Sequence, residues 1–231
     1  MIRGQDVTLT LLSVLLALPL RSQPLTRFAE RKAEVLLREK LPCLGCHQFG
    51  EEGGRLAPDL ATVRARRSAD YIAAIIDQPQ RVRPGTMMPP HPMPASDRQL
   101  IVRYLASRPG AAGAADTSPT LAATAEDRSA PALYARFCAG CHGSSGGGDG
   151  PNARFLPVPP AVHRAAAAMS PRSDDALYDA IAGGGAIMNK SARMPAFGAA
   201  LSDSEIRSLV KHIRTLCKCE GPAWSKDGKR G

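Results

Sequence analysis

The apolar residues of this chain recur three or four positions apart in two separate regions. That spacing places them on one face of a helix. The clearest examples are Leu100, Ile101, Tyr104 and Leu105 in the first region, and Ile206, Leu209, Val210, Ile213 and Leu216 in the second. No alternation of period two, which strands would show, competes with this pattern. The sequence therefore predicts an all-α fold.

Serine residues stand where shorter helices are predicted to begin. Ser68 is followed by a helix over residues 69–77, and Ser173 by one over residues 174–182. A Gln-Pro pair ends the first of these helices, and three glycines at residues 183–185 end the second. The two regions thus share a second helix in the same relative place.

The final helix of each region carries the signature of a capping box. Ser96 stands three residues before Gln99, and Ser202 stands three residues before Glu205. In such a box the serine hydroxyl and the later side chain each satisfy a backbone N–H of the first turn. We therefore predict that both final helices begin at these serines.

Both regions contain one five-residue motif and, further on, a Met-Pro pair. The motif reads Cys43-Leu44-Gly45-Cys46-His47 in the first region and Cys138-Ala139-Gly140-Cys141-His142 in the second. Met88-Pro89 and Met194-Pro195 each lie eight residues before a Ser-Asp pair. A repeated order of elements predicts a duplicated domain.

The repeat sets the predicted domain boundaries. Domains are expected over residues 25–109 and 131–217, opening with helical runs at 27–39 and 131–137. Residues 110–130 are rich in Ala, Thr, Ser, Pro and Gly and predict a flexible linker. Residues 218–231 form a C-terminal tail.

A C-x-x-C-H sequence is the attachment signal of c-type haem. Two thiols at this spacing can each bond one vinyl group, and the adjacent His then lies under the ring to bind iron. A zinc site would need both cysteine pairs from separate domains, and a thioredoxin-like pair would need a βαβ context. Neither alternative explains the His that follows each pair. The sequence therefore predicts two covalent haem c groups, on Cys43, Cys46 and His47, and on Cys138, Cys141 and His142.

Each half resembles a small class I cytochrome c domain, and the whole resembles the dihaem cytochromes c. The resemblance covers about residues 27–108 and 130–217 and rests on the motifs, the Met-Pro pairs and the final helices. It implies that a Met from the loop before the last helix is the second iron ligand. In the first half Met88 is favoured over Met93 and Met87 by its spacing, and in the second Met194 is favoured over Met188.

The resemblance also implies a Pro carbonyl that orients each proximal His. Pro58 is the candidate in the first half. In the second half Pro157, Pro159 and Pro160 compete, with Pro160 favoured.

The other His residues and the last two cysteines have weaker assignments. His91, His163 and His212 are interpreted as surface residues, with two alternatives: His91 as a rival axial ligand and His163 beside the edge of the second haem. Met169 is interpreted as a side chain that fills a gap in the core. Cys217 continues the apolar face of the last helix and fits a buried thiol. Alternatively, Cys217 and Cys219 pair with each other or with a partner, or bind Cu(I).

A net charge of +9 narrows the range of partners. The basic residues are spread along the chain, and Arg64, Arg66 and Arg67 have no interleaved aromatic residues, so nucleic acid is not expected. A basic surface suits solubility and the steering of an acidic redox partner.

Residues 1–22 predict an export signal or an uncleaved N-terminal anchor. The mostly apolar stretch from Val7 to Leu20 is shorter than the ~20 residues that a membrane span needs. Either interpretation places the remainder in the periplasm or otherwise outside the cytoplasm, and the second attaches it to the membrane through the N-terminus.

These features predict an electron carrier rather than an enzyme. It would shuttle electrons between a respiratory donor and a terminal oxidase or reductase, both of them redox proteins. A permanent cytochrome subunit of a larger oxidoreductase is the alternative. A dihaem peroxidase fits poorly, because it needs an open iron site and a longer chain.

Overall fold

The computed structural model describes residues 24–108 and 127–225. The predicted signal or anchor at 1–22 lies outside the described residues, as do most of the predicted linker and the end of the tail. The described residues form two helical units, and the all-α expectation is confirmed. The exact domain boundaries stay predictions.

The first unit contains five α-helices. They are α1 (Arg27–Val35), α2 (Cys43–Cys46), α3 (Ala69–Asp77), α4 (Pro79–Val82) and α5 (Ala95–Ser107). A π-helical turn, Leu36–Lys40, extends α1, and a 3-10 turn covers Leu60–Ala65. Two short antiparallel strands, β1 (Gln48–Phe49) and β2 (Glu52–Gly53), follow α2, with Gln48 opposite Gly53. This hairpin is a small addition to the predicted helices.

The core of the first unit lies where α1 and its π-helical extension pack against α5, and this extension also contacts α2. Leu37 and Leu44 are fully buried, and the predicted face of α5 contributes Ile101, Tyr104 and Leu105. Leu44 belongs to the cysteine motif, so its burial anchors the turn that carries Cys43 and Cys46 in this core.

The second unit also contains five α-helices. They are α6 (Ala130–Phe137), α7 (Ala139–His142), α8 (Ala166–Met169), α9 (Asp174–Ile187) and α10 (Asp203–Cys217), with 3-10 turns at Ala153–Phe155 and Ala223–Ser225. The apolar face of α10 is buried against α6, α8 and α9 as its spacing predicts. Met169 is fully buried in this core, which confirms its interpretation as a gap-filling side chain.

One of the two predicted capping boxes forms. The Glu205 N–H donates to Ser202 Oγ, and the Ser202 N–H donates to Glu205 Oε2 at 2.8 Å. The other prediction is wrong: α5 begins at Ala95 with Pro94 as its N-cap, so Ser96 lies inside the first turn. Pro94 has an extended ψ of 140° and makes no side-chain hydrogen bond to the first turn.

The glycines after α9 act differently from a simple stop. Gly184 adopts φ 78° and breaks the regular helix, but helical residues continue to Ile187. The predicted end at residues 183–185 is therefore an interruption. Among the described helices, none is long and apolar enough to cross a membrane.

Candidate functional site

The first cysteine motif forms the short helix α2 and places its His beside a proline carbonyl. His47 Nδ1–H donates to Pro58 O at 2.8 Å, and a parallel bridge joins His47 to Ala57. The Pro58 prediction is thus confirmed. Because Nδ1 holds the proton, Nε2 keeps its lone pair for a metal ion. Burial lowers the pKa of His47, which favours this neutral imidazole.

The second motif repeats this geometry with a different carbonyl. His142 Nδ1–H donates to Ala161 O at 2.9 Å. The preference for Pro160 was therefore wrong by one residue. The Pro160 carbonyl faces Gly148 instead, where a Cβ would lie 3.0 Å from its oxygen.

A buried polar pair supports the second imidazole from one side. The His163 ring stacks on the His142 ring with centroids 4.1 Å apart and planes at 12°. Tyr134 OH and His163 Nδ1 are hydrogen-bonded at 3.0 Å. Burial is the main cause that lowers the pKa of His163 to about 3. The stack holds His142 in a single orientation.

The surface interpretation of the three remaining His residues needs correction. His163 is only 8% exposed. His212 is half-buried, with its ring centroid 5.0 Å from that of Tyr134. His91 is also half-buried. The burial of His163 and His212 depends on how α6, α10 and a loop pack together. No local sequence pattern indicates that packing.

The four motif cysteines are free, half-buried thiols. Burial raises the pKa of Cys43 to about 11 and that of Cys46 to about 12, and it also raises those of Cys138 and Cys141. Within the described residues, no group of three or more His, Cys, Asp and Glu could hold a metal ion.

The candidate Met residues of the first unit lie in the loop before α5. The Met88 backbone is fixed on both sides: its N–H donates to Thr86 Oγ1 at 3.2 Å and its carbonyl accepts from Gln80 Nε2 at 2.9 Å. Met93 is half-buried and packs against the first core, whereas Met87 is 42% exposed. Both Met88 and Met93 therefore stay candidates.

Met194 is held by the glycine interruption of α9. Its carbonyl accepts from the Gly185 N–H at 3.1 Å. A Cβ on Gly184 would lie 2.8 Å from that carbonyl oxygen. The Met194 loop therefore passes too close to position 184 for a residue with a side chain there. Met188 is the residue that ends α9, and its side chain is half-buried.

The two C-terminal cysteines form a disulfide, Cys217–Cys219, at the end of α10. Cys217 is 3% exposed and Lys218 between them is left-handed. The structure therefore shows the pairing of Cys217 with Cys219, one of the alternatives given for these two cysteines.

Comparison with known protein families gives one match in each half of the chain. Residues 37–109 match the family described as cytochrome c, and residues 125–213 match the family described as cytochrome c oxidase, cbb3-type, subunit III. No curated protein matches the chain. A chain of a reducing HAO-like protein complex from Kuenenia stuttgartiensis is similar over 84% of this chain and 97% of its own, at 19% identity and a TM-score of 0.32.

The fold and the two sites define a c-type cytochrome. The chain belongs to the dihaem cytochromes c, with two cytochrome c domains in tandem. Such domains bind covalently attached haem c, and the pairs Cys43/Cys46 and Cys138/Cys141 fit two attachment sites. The oriented imidazole beside each pair fits the same group. Electron transfer with redox partners is the function that these domains imply.

Proposed function

We propose that the chain carries electrons through two haems, with His47 and Met88 as the iron ligands in the first domain and His142 and Met194 in the second. The observation that carries the proposal is the repeated imidazole geometry. Each His donates through Nδ1 to a backbone carbonyl, and each follows directly on a pair of free thiols.

The protein's own residues supply attachment and orientation. When bound, each haem supplies an iron that accepts and releases one electron. The thiols would hold the ring covalently, and the carbonyls of Pro58 and Ala161 fix the tautomer of each imidazole. The turn at Gly184 and Gly185 fixes the Met194 backbone. A Met ligand raises the reduction potential relative to a second nitrogen ligand.

A redox titration followed by optical spectra tests this ligand set. Met194→Ala should lower one of two reduction potentials and remove half of the weak red absorption that the family resemblance implies for Met-ligated oxidised haem. Met188→Ala is the matched control and should leave both unchanged. The reverse result would make Met188 the ligand.

The same comparison decides the first domain. Met88→Ala should lower the other potential, while Met93→Ala should leave it near its wild-type value and reduce stability through lost packing. A lowered potential in Met93→Ala alone would transfer the assignment to Met93.

We further infer that the chain works outside the cytoplasm, between a respiratory donor and a terminal oxidase or reductase. The apolar segment within residues 1–22 supports export, and so does the Cys217–Cys219 disulfide, because disulfides persist in oxidising compartments. Cell fractionation with N-terminal sequencing tests this. Recovery in the cytoplasm would contradict it, and an intact N-terminus in the membrane fraction would indicate an anchor.

A permanent subunit of a larger oxidoreductase is the second candidate. The match of residues 125–213 to a family named for an oxidase subunit favours it. Gentle extraction followed by size-exclusion chromatography separates the two. Elution with a large complex supports the subunit, and elution alone supports the mobile carrier.

A further inference from the structure

The two haem-attachment turns, α2 and α7, face each other where the two domains meet. Asn152 lies between them: its Nδ2 donates to Gly45 O at 2.6 Å and to Cys141 Sγ at 3.3 Å. Gly45 stands between the two cysteines of the first motif. In the haem-bound protein the Cys141 sulfur is a thioether, which stays a weak acceptor. One amide group thus joins the attachment turn of one domain to an attachment sulfur of the other.

All the hydrogen-bonding capacity of this amide is directed at the junction. Asn152 Oδ1 accepts from the Arg55 N–H of the first domain at 2.7 Å. The Asn152 backbone N–H donates to Gly140 O at 2.9 Å, inside the second motif. The residue is 1% exposed. A buried amide with every partner in place has a fixed orientation, because losing any partner leaves a polar group unsatisfied.

Glycines allow the close approach of the two domains. A Cβ on Gly45 would lie 1.9 Å from Arg193 O of the second domain. One on Gly140, the equivalent position of the second motif, would lie 2.7 Å from Leu56 Cδ1 of the first. A Cβ on Gly54 would lie 2.7 Å from the Asn152 amide. The motif glycine of each domain is thus the point that meets the other domain.

Two further contacts flank the amide. The Arg55 guanidinium lies 4.6 Å from the centroid of the Phe155 ring, three residues after Asn152. Arg136 Nη2 donates to Thr86 O at 3.3 Å, which ties the second domain to the Met loop of the first. The junction is therefore an ordered contact with several bonds across it.

We propose that Asn152 is a positioning residue that couples the two redox centres, by holding the attachment turn of the first domain against a thioether sulfur of the second. This inference rests on the proposed function, since it requires a haem on each turn. With a haem on each turn, the event that Asn152 would couple is the exchange of one electron between the two irons, one being oxidised from Fe(II) to Fe(III) as the other is reduced. No bond breaks and no proton moves.

The test compares two leucine substitutions in one loop. Asn152→Leu removes both donors and the acceptor, whereas Ser144→Leu places the same side chain at an exposed position. One electron is injected photochemically into the oxidised protein, and its redistribution between the haems is followed optically. We expect Asn152→Leu to lose the fast phase that is independent of protein concentration, and Ser144→Leu to retain it. A wild-type rate in Asn152→Leu would overturn the proposal.

A second variant keeps the test decisive if Asn152→Leu does not fold. Asn152→Asp keeps the acceptor for the Arg55 N–H but has no N–H for Gly45 O or the Cys141 sulfur, so it should also lose the fast phase. A wild-type rate there would likewise overturn the proposal.

Intact mass and the red Met absorption are measured on every protein. A wild-type chain without two haems would contradict the proposed function itself, whereas unaffected exchange between two attached haems contradicts only this inference.

Discussion

Replacement of Gly184 by alanine should disturb the Met194 loop more than the backbone conformation alone explains. Gly184 has φ 78° and ψ 179°, a conformation essentially restricted to glycine that costs another residue about 1–3 kcal/mol. Its Cβ would also lie 2.8 Å from Met194 O and 2.9 Å from Ala196 N. Overpacking against backbone adds about 1–3 kcal/mol. We therefore expect a total loss of about 2–6 kcal/mol in the free energy of unfolding.

Gly50 offers a matched control in the other domain. Gly50 has φ 65°, but nothing lies within 4 Å of its Cβ position. Gly50→Ala should therefore cost only about 1–2 kcal/mol. Denaturant titration gives the stabilities, and the red Met absorption reports the second iron. Gly184→Ala should reduce that absorption and lower one potential, while Gly50→Ala should change neither. Equal destabilisation with unchanged spectra in both would refute the reasoning.

Three other predictions concern stability and the disulfide. Glu205→Gln should lower the free energy of unfolding at pH 7 by about 1 kcal/mol, a value suited to a helix cap and a partly exposed ion pair. The Arg128 hydrogen bond lowers the pKa of Glu205 from 4.5 to about 2, so its contribution is complete above pH 4.5 and is lost as the pH falls to about 2. Leu209→Ala, at a fully buried position, should cost about 2–5 kcal/mol in a denaturant titration. Cys217 and Cys219 should react with an alkylating reagent in the denatured protein only after reduction.

Each of these predictions has a clear contrary result. A constant difference between wild type and Glu205→Gln down to pH 2 would contradict the ion-pair argument. A cost below about 1 kcal/mol for Leu209→Ala would mean that the core of the second domain is packed differently. Alkylation of Cys217 and Cys219 without reductant would contradict the disulfide.

The parts of the fold that depend on local pattern could be predicted from the sequence. The face of α10 and its capping box follow from residues three and four positions apart, and both form as predicted. The start of α5 did not follow, because the helix begins one residue before Ser96 and its N-cap, Pro94, makes no side-chain hydrogen bond that a capping pattern could signal.

The site was predictable as far as covalent chemistry fixes it. The cysteine pairs and their His residues are set by spacing, and Pro58 lies where the resemblance implies. The Ala161 carbonyl, the His163 stack and the Asn152 bridge all require knowledge of which loops meet in space. Asn152 in particular stands in a glycine-rich loop whose composition suggests only a turn.

Intact mass of the isolated protein under denaturing conditions tests the central claim most directly. A haem joined through thioethers to Cys43 and Cys46, and another to Cys138 and Cys141, would stay on the unfolded chain. The account predicts the mass of the polypeptide plus two haems. A mass without either addition would contradict the account, because the four thiols would then carry no covalently attached haem.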